Sequence, residues 1–175
     1  MNLPNKLTIL RILMIPLCLL LLYFRWDFLA TLVFVLACLT DFFDGYIARK
    51  HGLVTNFGKF ADPVADKILV ASIMVLLVQQ GRFPWWALCI VIIRELAVDG
   101  LRLVAVEQGI VIPAGMLGKL KTNFQMFGVI AAMLSMAPWL VLTLAIILSL
   151  LTMISGLQYF YEGRSLLNPN DRKAA

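Results

Sequence analysis

The chain has 175 residues, 62% of them hydrophobic, with a mean hydropathy of +0.92 and a formal net charge of +5. A soluble domain is nearer half apolar, and here the excess runs along the whole length. This excludes a soluble enzyme built on one apolar core and leaves room for about six membrane helices of ~20 residues. The basic residues are scattered between apolar runs, so their charge reads as the bias of a membrane protein, and no nucleic acid partner is expected.

In chain order, the apolar runs predict six transmembrane helices: about Leu7–Phe24, Phe28–Arg49, Gly58–Gln79, Pro84–Val106, Leu117–Ala137 and Trp139–Tyr161. The breaks carry turn chemistry: Arg25-Trp26-Asp27, His51-Gly52, Gln80-Gly81-Arg82, Gln108-Gly109 and Ala137-Pro138. The expected fold is all-α and integral to the membrane, a single embedded domain over residues 1–175. The first run is long for a signal core and no small-residue cleavage site follows it, so it is expected to stay as a helix. Cys18, Cys38 and Cys89 lie inside apolar runs without paired spacing and read as packing residues. His51 is the one histidine, which rules out a histidine-based metal cage. Trp26, Trp85, Trp86, Trp139, Tyr159 and Tyr161 lie near span ends and read as interfacial anchors.

An even number of spans puts both termini on one side. Thirteen Lys and Arg fall on that side, against only Arg25 and Arg82 on the other, so both termini are expected in the cytoplasm. Nine of the ten acidic residues fall on the same side, Asp27 alone lying outside. The positive-inside rule says nothing about acids, so this second asymmetry points to a polar active site opening to the cytoplasmic side.

Asp41 and Asp44 stand three residues apart on the second span; Asp62 and Asp66 stand four apart on the third. Each pair shares a helix face, and a short connection makes the two helices antiparallel neighbours. A carboxylate costs on the order of 2.5–3.5 kcal/mol at the centre of a membrane helix, and like charges repel. Divalent cations remove both penalties. Oxygen ligands without Cys or His suit Mg²⁺, Mn²⁺ or Ca²⁺ rather than zinc, and two-ion sites recur in phosphoryl chemistry. The competing reading is interfacial carboxylates paired with Arg49, Lys59 and Lys67. Gly45, Ala48 and Gly58 beside the aspartates permit close approach of a ligand or of another helix.

Arg94 and Glu95, then Arg102, Lys119 and Lys121, fall at the cytoplasmic ends of spans four and five. Lys119 and Lys121 do not share a face, so at most one points fully inward. Arg94 lies inside an apolar run, where an arginine is by default a functional candidate. It reads as a phosphate cradle or as one half of a salt bridge with Glu95, Asp99 or a site aspartate.

The stretch D-x-x-D-G-x-x-A-R, eight residues, then G-x-x-x-D-x-x-x-D, is matched by Asp41, Asp44, Gly45, Ala48, Arg49, Gly58, Asp62 and Asp66. In this the chain resembles the CDP-alcohol phosphotransferases, six-helix membrane enzymes. It is most similar to bacterial members that use glycerol 3-phosphate, in Leu3–Arg11, Leu53–Phe60, Arg94-Glu95, Leu101-Arg102 and Gly118–Thr122 with Gln125. Asp99 departs from that pattern, in which a small or neutral residue is expected.

The resemblance implies transfer of the phosphatidyl group of CDP-diacylglycerol to the hydroxyl of glycerol 3-phosphate, with CMP leaving. It implies Mg²⁺ or Mn²⁺, as two ions, on Asp41, Asp44, Asp62 and Asp66, and Asp66 as general base; the residues alone leave open which of the four plays that part. It implies a CDP-lipid site at Asn5, Thr8, Asp44, Gly45, Ala48, Arg49 and Gly58. An acceptor phosphate site is implied at Arg94, Arg102, Lys119, Lys121, Lys59 and Thr55. A homodimer in the bacterial cytoplasmic membrane is also implied. Two alternatives stand beside it: the same chemistry with phosphatidylglycerol as acceptor, the cardiolipin synthase reaction, and, more remotely, a cation transporter whose aspartates carry the ion.

Overall fold

The structure is a computed structural model and describes residues 3–51, 56–110 and 115–164, with side chains over 9–40, 64–110 and 115–164. Six helices account for most of it: α1 (Leu3–Tyr23), α2 (Asp27–His51), α3 (Asn56–Gln79), α4 (Trp85–Glu107), α5 (Met116–Met133) and α6 (Pro138–Glu162). Among the described residues there is no strand. The helices follow the six apolar runs. The largest differences are the start of α1, four residues earlier than expected, and the end of α5, four residues earlier.

The helix ends explain these bounds. Four helices close with the same pair of backbone bonds, in which one N–H reaches back five residues and its neighbour three. At α1 these are Trp26 N to Leu21 O at 3.0 Å and Arg25 N to Leu22 O at 3.2 Å. At α5 they are Met136 N to Ala131 O at 3.0 Å and Ser135 N to Ala132 O at 3.1 Å. The residue at the turn must be left-handed, which glycine does without strain. Gly81 (φ 69) and Gly109 (φ 73) fill that position after α3 and α4, but Arg25 (φ 64) and Ser135 (φ 52) fill it after α1 and α5. A non-glycine residue there costs about 1–2 kcal/mol. Both side chains make hydrogen bonds at this position, Arg25 Nη1 to Gln80 Oε1 at 3.3 Å and Ser135 Oγ to Asp27 Oδ2 at 3.2 Å.

The chain divides into two compact units. The first holds residues up to Arg82 together with Val129–Pro138. In it α1 packs on α2 and α3, burying Cys18, Leu22, Phe34, Leu69, Ile73 and Leu77 completely or nearly so. Its turn end carries a polar clasp. Arg82 Nη1 donates to Asp27 Oδ1 at 2.8 Å and to Gln80 Oε1 at 3.1 Å, and Arg82 Nη2 donates to the carbonyl of Met133. Gln80 Nε2 donates to the Leu22 carbonyl at 3.0 Å. Arg25, Asp27 and Arg82, the three charges expected on the side away from the termini, are thus joined in one network.

The second unit holds Phe83–Gly128 and the residues from Trp139 onward, hence α4, most of α5, and α6. α6 is long and apolar enough to cross a membrane, with a hydropathy of 2.5 over its best window. Its polarity is distributed inside out. Ala145, Ser149, Thr152, Ser155 and Gly156 are buried, while Leu142, Ile146, Leu150, Met153 and Leu157 are exposed. Small and hydroxyl-bearing residues inside, with large apolar ones outside, are the arrangement of a helix packed in apolar surroundings. The buried hydroxyls bond back to their own helix, Ser149 to Ala145 O at 2.8 Å and Thr152 to Leu148 O at 2.6 Å.

Candidate active site

In the first unit, α2 carries Asp41 and Asp44 and α3 carries Asp62 and Asp66. The backbone is helical at all four, so each pair stands about one turn apart on its own helix. That spacing fits the expected donor set for a hard divalent cation. The side chains of Asn5, Thr8, Asp41, Asp44, Gly45, Ala48, Arg49, Gly58, Lys59 and Asp62, and all of Thr55, lie outside the described residues. Among the described residues no three metal-ligating side chains come together, since three of the four aspartates are not among them.

Asp66 is described, and it has a partner that the sequence reading did not assign. Arg11 of α1 is completely buried, and its Nη1 stands 3.1 Å from Asp66 Oδ1. The Asp66 side chain keeps 38% of its surface exposed. In the sequence Arg11 interrupts the first apolar run and is one of the thirteen basic residues on the side of the termini. The argument that singled out Arg94, a charge inside an apolar run, applies equally to Arg11 and is the signal that could have found it.

In the second unit, α4, the start of α5 and α6 bring the basic residues around one aromatic ring. The guanidinium carbons of Arg94 and Arg102 each lie 5.2 Å from the centroid of Tyr159. Arg102 Nη2 donates to the Tyr159 hydroxyl at 2.8 Å, and the backbone N–H of Gly115 donates to the same oxygen at 3.0 Å. Tyr159 is 4% exposed. The sequence reading made it an interfacial anchor, and the structure corrects this: Tyr159 is a buried platform, whereas Trp26, Trp85, Trp139 and Tyr161 are exposed as expected. A buried tyrosine needs a partner for its hydroxyl, and here the hydroxyl accepts from two directions.

Arg94 Nη1 lies 3.5 Å from Glu95 Oε1, and Lys121 Nζ donates to the same carboxylate oxygen. The salt-bridge alternative for Arg94 is therefore realised with Glu95. The Nε atoms of Arg94 and of Arg102 are nevertheless buried with no acceptor among the described residues, donors that an anion could satisfy. Of the two lysines, Lys121 is buried and Lys119 exposed, in line with their placement on different faces. Small residues admit Arg94: a Cβ at Gly156 would stand 3.3 Å from Arg94 Cγ, and one at Gly118 would stand 3.5 Å from Arg94 Nη2. Arg94, Arg102 and Lys121 thus gather in one unit; Lys119 reaches solvent, Asp99 is half-buried on α4, and Lys59 and Thr55 lie outside the described residues.

Comparison with known proteins bears on this arrangement. The family model for CDP-alcohol phosphatidyltransferases matches residues 1–153. The chain is 41% identical, over an alignment of 194 positions including gaps, to the CDP-diacylglycerol–glycerol-3-phosphate 3-phosphatidyltransferase of Bacillus subtilis (strain 168), covering 97% of this chain and 99% of that protein. It is also 41% identical over 169 residues to the protein of the same name from Rickettsia typhi, covering 91% of this chain and 95% of that one. A probable phosphatidylglycerophosphate synthase of Mycobacterium tuberculosis (strain ATCC 25618 / H37Rv) is 41% identical over 170 residues, covering 90% of this chain and 79% of that protein. With a family match over most of its length and relatives that align nearly end to end, the chain belongs to the CDP-alcohol phosphatidyltransferase family.

Proposed function

We propose that the chain transfers the phosphatidyl group of CDP-diacylglycerol to the hydroxyl of glycerol 3-phosphate, releasing CMP and phosphatidylglycerophosphate. The observation that carries this is the 41% identity, over 97% of the chain, to a relative named for that reaction. The buried Nε atoms of Arg94 and Arg102 support an anionic acceptor, because an uncharged alcohol would leave these donors without partners.

In this reading Asp41, Asp44, Asp62 and Asp66 would hold Mg²⁺ or Mn²⁺, as two ions. When bound, the ions supply neutralisation of the charge that gathers on the departing nucleotide. Asn5, Thr8, Gly45, Ala48, Arg49 and Gly58, with Asp44, bind the CDP-lipid. Arg94 and Arg102, with Lys121 or Lys119, Lys59 and Thr55, bind the acceptor phosphate. Guanidinium groups suit that task through charged, bidentate hydrogen bonds. Asp66 takes the proton of the acceptor hydroxyl, and the hydroxyl oxygen attacks the phosphorus that bears the diacylglycerol. The bond from that phosphorus to the bridging oxygen breaks, and CMP leaves with the electron pair.

All six helices cross the bilayer in this reading, with both termini and the opening of the site in the cytoplasm of a bacterium. The protein is a homodimer there. The charge count supports the orientation, and the inside-out distribution of α6 supports contact with lipid.

The test is an acceptor screen: purified protein, CDP-diacylglycerol, Mg²⁺ or Mn²⁺, and each candidate alcohol, with CMP release as the readout. Glycerol 3-phosphate should release CMP while glycerol, inositol and phosphatidylglycerol do not. Equal turnover with phosphatidylglycerol would make the chain a cardiolipin synthase, and no CMP release with any acceptor would reopen the transporter reading.

A further inference from the structure

We infer that Arg11 is a positioning residue for Asp66, holding the carboxylate that takes the acceptor's proton; the inference rests on the role proposed for Asp66. Three observations meet at this pair. First, Arg11 sits in the apolar run of α1, among Ile9, Leu10, Ile12 and Leu13, all of which are exposed, while Arg11 itself is completely buried. A long cationic side chain in such a helix ordinarily reaches outward to the membrane interface. This one turns inward instead, and a buried guanidinium is tolerated only where it is neutralised.

Second, its Nη1 bonds a carboxylate oxygen 55 residues away in sequence, at 3.1 Å, in a unit where α1 packs directly on α3. Third, the two partners differ in access. Arg11 is sealed, whereas Asp66 is 38% exposed. A buried, rigid donor therefore fixes the rotamer of a carboxylate that can still be reached from outside. That division of labour suits a proton acceptor, whose usefulness depends on being held in one geometry before the substrate arrives. The Arg82–Asp27 pair has a different character, since it closes turns and stands about 21 Å along α2 from Asp41 at 1.5 Å per residue.

The experiment uses the full chain in lipid nanodiscs, with Arg11→Gln, Arg11→Lys and Asp66→Asn measured side by side. Four quantities are read: kcat, the KM of each substrate, equilibrium binding of CDP-diacylglycerol, and the melting temperature. Loss of one charged hydrogen bond predicts that Arg11→Gln lowers kcat about 10- to 100-fold, with both KM values and lipid binding changed less than about threefold. Arg11→Lys, which keeps the charge without the planar fork, should recover part of that loss. The inference is overturned if Arg11→Gln keeps the wild-type kcat while Asp66→Asn is slow, for then Asp66 acts without it. It is overturned equally if kcat, lipid binding and melting temperature fall together in both Arg11 variants, which is the pattern of a residue that only holds the helices. Wild-type turnover by Asp66→Asn would remove the reading on which the inference rests, and would do so whatever the Arg11 variants show.

Discussion

Among its described residues the first unit contains two arginine–aspartate pairs of similar geometry and different surroundings. Arg82 and Asp27 meet at 2.8 Å, and Arg11 and Asp66 at 3.1 Å. Asp27 also accepts from Ser135 Oγ, its backbone carbonyl accepts from Thr31 Oγ1 at 2.7 Å, and Arg82 also binds Gln80 and the Met133 carbonyl. The contacts with Ser135 and with the Met133 carbonyl tie one chain turn to another. Asp66 instead lies a turn along α3 from Asp62, in a spaced set of four aspartates, with its side chain more open than that of Asp27. A salt bridge by itself therefore does not mark a functional carboxylate. What separates the two is a sealed cation on one partner, access on the other, and membership in a helical pattern.

The comparison is broken most severely by removing the ions proposed for the four aspartates. Chelation with EDTA should abolish CMP release, with recovery on adding Mg²⁺ or Mn²⁺, and Asp44→Asn or Asp62→Asn should cost at least about 100-fold in turnover while membrane insertion is unchanged. Activity that survives exhaustive chelation would remove the metal role of the four aspartates. Next comes the same substitution at each pair. Asp66→Asn should lower kcat about 10²- to 10⁴-fold, the usual worth of a general base, with CDP-diacylglycerol binding retained. Asp27→Asn should leave kcat within about twofold and cost about 1–3 kcal/mol of stability, read as an earlier thermal transition. If the two variants behave alike, the distinction between clasp and site fails. The smallest effect is expected in the second unit. Tyr159→Phe removes the acceptor shared by Arg102 and Gly115 and should raise the KM for glycerol 3-phosphate about 3- to 10-fold, with little change for the lipid.

The helices were legible because a run of apolar residues has one stable fate at this hydropathy, and all six lie where the runs lie. The ends were legible where Gly81 and Gly109 supply the left-handed turn. They were less so at Arg25 and Ser135, residues with no intrinsic preference for that conformation, whose side chains bond groups distant in sequence. This is why α5 stops four residues before the expected bound. The charge count placed Arg25, Asp27 and Arg82 on one side, yet it carries no information on pairing, which depends on tertiary contact. Tyr159 was misread for a related reason: a position near the end of an apolar run suggests an interface, and only packing shows that the ring lies under two arginines. The aspartate pattern was visible because both pairs obey helical spacing within their own segments. Arg11 was visible as a charge inside an apolar run, but its pairing with Asp66 was not, because the two stand 55 residues apart.

Steady-state kinetics of Arg94→Gln test the central assignment, an anionic acceptor held by the arginines of the second unit, most directly. Glycerol 3-phosphate is varied at saturating CDP-diacylglycerol, then the lipid at saturating acceptor, with CMP release as the readout. Loss of a charged hydrogen bond to phosphate predicts a rise of about 10- to 100-fold in the acceptor KM and less than about threefold in the lipid KM. Equal rises for both substrates, or a wild-type enzyme that uses plain glycerol as well as glycerol 3-phosphate, would contradict it and leave Arg94 as the partner of Glu95 alone.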